Sequence, residues 1–80
     1  MTYTEAVAKR TKDLLFKNNK SQYRLIKDTC LSKTTIRKIF KNETKDVNLS
    51  TIRLIADFFN MSLSEFFTDE VFKTENLDID

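Results

Sequence analysis

Six side chains near the middle of the chain are suited to one kind of chemistry. Lys33, Thr34, Thr35, Arg37, Lys38 and Lys41 are all hydrogen-bond donors, and the four basic ones carry positive charge at neutral pH. Thr34, Arg37, Lys38 and Lys41 stand at i, i+3, i+4 and i+7, the spacing that lines side chains along one stripe of an α-helix. Such a stripe matches a surface dense in acceptors and negative charge, where charge-assisted hydrogen bonds form. Gln22 and Tyr23 upstream, and Asn42, Thr44 and Lys45 downstream, add further donors. The groups that catalysis needs are missing. The chain has His 0 and Gly 0, its one thiol (Cys30) has no neighbouring base, and no paired carboxylates fall in one expected cleft. Nothing remains to run acid–base or nucleophilic chemistry, to cradle a phosphate on a Gly-rich loop, or to assemble a zinc site. No enzyme activity, cofactor or metal is expected.

The charge is unevenly spread. Residues 1–67 hold 13 Lys/Arg against 7 Asp/Glu, a net of +6, whereas residues 68–80 hold Lys73 against five acids, a net of −4. Between Lys17 and Lys45 nine basic residues face only Asp28 and Glu43. This asymmetry suits a polyanion-binding body followed by an acidic tail. An AT-rich codon bias would also inflate Lys, Asn, Ile and Phe, so charge alone does not decide the partner. Eighty residues make one domain with a thin core. The opening Met1-Thr2-Tyr3-Thr4-Glu5 is no signal segment, and no run approaches the roughly 18 apolar residues of a membrane span, so a cytoplasmic protein is expected.

The elements that must position these side chains are helices. Average usage would place about ten Gly and Pro in a chain of this length, yet it has none. Turns with positive φ then fall to Asn or Asp, and tight hairpins lose their preferred residues. Thr2-Tyr3-Thr4-Glu5 has the spacing of a capping box, and Ala6, Val7, Thr11, Leu14 and Leu15 continue on one face up to Asn18-Asn19. Ser21 caps a second helix with Leu25 and Ile26 inward. The run 28–31 is a turn, and Ser32 caps a third helix over 33–40 with Ile36 and Ile39 inward. After the polar link 42–46, a fourth helix begins at about residue 48 or 49 and ends at Phe59, with Leu49, Ile52, Ile55, Ala56 and Phe59 as its apolar stripe. Asn60 stops it, and Ser62-Leu63-Ser64-Glu65 opens a fifth helix through Phe66 and Phe67. Leu25, Ile36, Ile39, Leu49, Ile52 and Ile55 are expected in the core. Phe58, Phe66, Phe67 and Phe72 exceed what one small core needs, which leaves some of them for an interface. The segment 68–80 stays open between strand, short helix and disorder.

Two short helices joined by a tight turn, the second presenting polar residues outward, describe a helix-turn-helix. The run 22–40 resembles the motif of the lambda repressor and Cro family, also called the xenobiotic-response-element family. Gln22 stands where the family often has the Gln that opens its first motif helix. Leu25-Ile26 matches its apolar pair, Leu31-Ser32 its turn exit, and Ile36 and Ile39 its buried recognition-helix positions. The stretch from Asn48-Leu49-Ser50-Thr51-Ile52 through Ile55-Ala56 to Phe59-Asn60-Met61-Ser62-Leu63-Ser64-Glu65-Phe66-Phe67 is similar to its last two helices, so the resemblance covers residues 3–67. Two positions depart from it. Ile26 replaces a customary Ala, and Cys30 replaces a customary Gly at a turn position of positive φ.

The resemblance implies an all-α, compact, five-helix DNA-binding domain over 1–67, with the acidic tail 68–80 left for dimerisation, partner binding or disorder. It implies sequence-specific binding to double-stranded DNA by a transcriptional regulator, a repressor by preference. An α-helix fits the major groove, where every base pair shows its own pattern of donors and acceptors. Lys33, Thr34, Thr35, Arg37, Lys38 and Lys41 then face base edges. Gln22 and Tyr23, at a helix N-terminus, suit the phosphates, and Asn42, Thr44 and Lys45 resemble the family's backbone-contacting segment. A homodimer on a palindromic operator follows. No small-molecule ligand and no membrane partner is evident. The competing reading is an antitoxin-like or other protein-interaction module built on the same fold, whose acidic and apolar tail folds on a partner.

Overall fold

A computed structural model describes residues 1–77. Within them the chain forms five helices: α1 (Tyr3–Lys17), α2 (Gln22–Thr29), α3 (Lys33–Phe40), α4 (Leu49–Phe58) and α5 (Leu63–Phe66). Two 3₁₀ turns follow, Glu70–Phe72 and Thr74–Asn76. No strand occurs among the described residues. The architecture is the all-helical one expected from the sequence. Its radius of gyration, 11.9 Å, is close to the roughly 11.6 Å of a compact folded chain this long.

Each helix starts where a short polar side chain can accept from a free first-turn amide. Thr2, Ser21, Ser32, Asn48 and Ser62 all do so. At α1 and α5 the capping box is complete: the Glu5 carboxylate accepts from the Thr2 amide at 2.8 Å and the Glu65 carboxylate from the Ser62 amide at 3.0 Å. The four connections turn at Asn19, Cys30, Asn42 and Asn60, each with φ between 53° and 60°. Without Gly, the left-handed positions fall to three Asn and one Cys. Asn tolerates that conformation and Cys strains in it.

The core lies where α1 packs on α3, α2 on α4, and α4 on α5. Val7, Leu25, Ile36, Ile52, Ile55 and Phe66 are completely enclosed, and each contributes about 1.5–3 kcal/mol through its burial. Leu49 corrects the expectation drawn from its spacing. It is 60 % exposed, because it is the first residue of α4 and sits beyond the edge of the face made by Thr51, Ile52, Ile55 and Ala56. Val47, two residues earlier, is buried instead. Phe59 caps α4 from just outside the helix and packs half-buried against the core, as do Ile26 and Phe67.

Beyond α5 the chain folds back on α1. Val71 is buried, and Phe72 joins Phe66 and Phe67 in an aromatic triangle with centroids 4.9–5.8 Å apart. Arg10 holds this return in place. Its Nε donates to the Phe66 carbonyl at 2.9 Å, another guanidinium nitrogen donates to the Glu65 carbonyl at 3.1 Å, and the third lies 3.5 Å from the Asp69 carboxylate. Further along, the Met1 amino group donates to the Asn76 carbonyl at 2.9 Å. Residues 78–80 of the expected acidic tail lie outside the described residues.

Candidate nucleic-acid interface

Ile36 and Ile39 pull one side of α3 into the core, so the helical period turns the opposite side outward. Lys33, Thr34, Arg37, Lys38 and Lys41 are all exposed there. Thr35 lies at the edge, half-buried, and its Oγ1 accepts from the Ser32 hydroxyl at 2.7 Å. None of Lys33, Arg37, Lys38, Lys41 and Lys45 has an ion-pair partner among the described residues. Asp28, one of the two acids in the basic stretch, is instead taken up by Arg24 at 2.8 Å. The positive field of α3 is therefore left uncompensated toward solvent.

Two flanks border α3. On one side the N-terminal half of α2 brings Gln22, Tyr23 and Ile26 against Lys33, Arg37, Phe40 and Lys41 around an open groove of about 660 Å³. Gln22 is half-buried and Tyr23 is 73 % exposed. As first-turn residues of α2, both keep backbone N–H groups without intrahelical acceptors, an arrangement that favours anions. On the other side Thr35 and Lys38 adjoin Thr44, Asp46 and Asn48. Asn42 is exposed in the left-handed turn that closes α3. Lys45 is exposed, whereas Thr44 is half-buried with its hydroxyl donating to the Asp46 carbonyl at 2.7 Å. The structure thus gathers all eleven sequence-derived candidates around α3; within the described residues the Thr44 hydroxyl is already spent as a donor on Asp46, and the Thr35 hydroxyl accepts from Ser32 but keeps its own proton to donate.

Sequence reasoning missed several neighbours. Thr2, Tyr3, Thr4 and Glu5 line a groove with Asn42, Thr44 and Lys45, which brings the start of α1 to the same edge. Burial, and then the nearby Asp46 carboxylate, push the Tyr3 hydroxyl above its ordinary range. No local pattern announces this contact between segments some forty residues apart. Lys12, on α1, donates to the Phe40 carbonyl at 3.2 Å and lies 5.6 Å over the Phe40 ring. It satisfies the C-terminus of α3 and fixes one end of the helix.

A rigid bihelical unit with one helix anchored by two Ile and its basic side free describes a helix-turn-helix DNA-binding domain. The chain belongs to that class by family as well: the model of the Cro/C1-type HTH DNA-binding domain matches residues 12–71. It is accordingly a DNA-binding protein of transcription regulation. Comparison with curated proteins and with solved structures returned no match.

Proposed function

We propose that this protein is a transcriptional repressor acting in the cytoplasm, which inserts α3 into the major groove of a palindromic operator as a homodimer. Lys33, Thr34, Thr35, Arg37, Lys38 and Lys41 contact base edges. Gln22, Tyr23, Asn42, Thr44 and Lys45 hold the phosphates on either side. The observation that carries this reading is the unpaired basic face of α3 between two donor-bearing flanks. Two such faces related by a two-fold axis read half-sites about 34 Å apart. Leu49 and Leu54, 60 % and 40 % exposed on α4, are apolar surface that a second subunit would cover. Occupancy of the operator excludes other proteins from it, so repression is the output we assign.

Selection of bound sites from a random duplex pool tests the reading. The expected result is one consensus with two-fold symmetry, bound with an affinity that falls steeply with salt, at a log–log slope near −0.9 per phosphate contact. An asymmetric consensus would remove the homodimer, and no consensus would remove the regulator.

A second reading, an antitoxin-like or other protein-interaction module, draws on Phe16, which is 89 % exposed on α1. Such a module would show a shallow salt slope and no base preference.

A further inference from the structure

The groove between α2 and α3 is not uniformly polar. Its rim is cationic, with Lys33, Arg37 and Lys41, but Ile26 and Phe40 form a half-buried apolar floor. Tyr23 stands over it, 73 % exposed, its side chain with no hydrogen bond, ring contact or ion pair within the described residues. A phosphate laid on that floor would lose water without gaining a donor, and so would the polar edge of a guanine, adenine or cytosine. The major-groove edge of B-DNA carries one apolar group, the 5-methyl of thymine.

We infer that Tyr23, Ile26 and Phe40 form a thymine-methyl subsite, which makes Tyr23 and Ile26 specificity-determining residues from outside the recognition helix. This rests on the major-groove reading above and extends it from α3 to the α2 side. Tyr23 serves both parts of the contact: its ring closes the apolar wall, and its hydroxyl reaches the backbone of the same strand. Because Arg37 and Lys33 rim the groove, the thymine belongs to the base pair next to the one that Arg37 reads, on the strand whose phosphates face α2. Its methyl is then removed from water between three side chains, which is worth about fourfold in affinity.

The test replaces each thymine of the selected operator by deoxyuridine, which deletes only the methyl. The parent protein is expected to lose about fourfold at one thymine per half-site, adjacent to the base pair whose discrimination Arg37→Ala relaxes. Tyr23→Phe keeps the penalty, and Tyr23→Ala and Ile26→Ala both reduce it toward unity. Residue 23 is exposed, so its variants fold whatever the outcome, and the helical circular dichroism of Ile26→Ala is checked first. Uracil tolerated at every thymine overturns the subsite while the regulator stands. A penalty that survives Tyr23→Ala and Ile26→Ala but disappears in Thr34→Ser also overturns it, because the methyl is then read by α3. A protein that selects no consensus overturns the subsite and the underlying reading together.

Discussion

At Cys30 the backbone stands at φ 60° and ψ 17°, in the left-handed region, as the C-cap of α2. A side chain with a Cβ is strained there by about 1–2 kcal/mol, and Gly is not, although Gly gives back part of that gain as unfolded-chain entropy. Cys30→Gly is therefore expected to raise the unfolding free energy by about 0.5–1 kcal/mol in urea titration, with DNA affinity unchanged. A lower midpoint would mean that the thiol makes a contact worth more than the strain. Arg37 presents the opposite case, a residue that the fold can spare. It is exposed and unpaired, so Arg37→Ala should leave the melting temperature in place. In fluorescence anisotropy it should weaken operator binding by about 1–3 kcal/mol and relax discrimination at one base pair. Equal affinity of parent and variant for every sequence would exclude Arg37 as a base reader.

For the elements, the helix ends matter more than the middles. α2 and α3 have eight residues each, too short to persist alone, and they hold because caps and packing fix both ends. Ser21 and Ser32 begin them, Cys30 and Asn42 turn the chain after them, and Lys12 closes the last turn of α3 from another helix. The two capping boxes give the fold a pH dependence. Bonds from the Thr2 and Ser62 backbone amides hold the Glu5 and Glu65 carboxyls below their ordinary range. A carboxylate depressed in the folded state stabilises fully above its unfolded value, about 4.3, and loses that contribution as pH falls through the folded value. Thermal melts of Glu5→Ala/Glu65→Ala should thus fall below those of the parent at pH 7 and converge with them as pH falls through the folded-state values. Glu65 is exposed and Glu5 half-buried, so added salt should narrow the gap.

Across the whole molecule, Arg10 joins the DNA-binding body to the segment after α5. Its side chain is nine-tenths buried, with bonds to two backbone carbonyls and a carboxylate, and it lies 5.7 Å over the Phe66 ring. Arg10→Met keeps the volume and removes the donors, leaving the buried Phe66 carbonyl without its guanidinium bond, while the Glu65 carbonyl keeps the Thr68 hydroxyl and amide. The expected cost is about 1.5–3 kcal/mol, together with faster hydrogen exchange at the Val71 and Phe72 amides, whose bonds to Asp69 depend on that anchorage. Retained protection there would show that the aromatic triangle alone secures the return. The family match ends at residue 71, and the burial of Val71 places that end inside the packed body.

The sequence by itself determined the helices and their order. Caps such as Thr2 and Ser62, and the Asn residues at left-handed turns, act through bonds only a few residues long and are legible in a local window. The outward stripe of α3 was equally legible, because the helical period that buries Ile36 and Ile39 exposes Thr34, Arg37, Lys38 and Lys41. Only the tertiary structure decided the rest. Arg10 looks like a surface cation until Glu65, Phe66 and Asp69 close around it, and Leu49 looks like core until α4 is seen to begin at the core's edge. Tyr3 reaches the edge formed by Asn42, Thr44 and Lys45, and the α2 face gains an apolar floor, through contacts between segments distant in sequence. Such contacts depend on how whole helices cross, and no local pattern of residues encodes that.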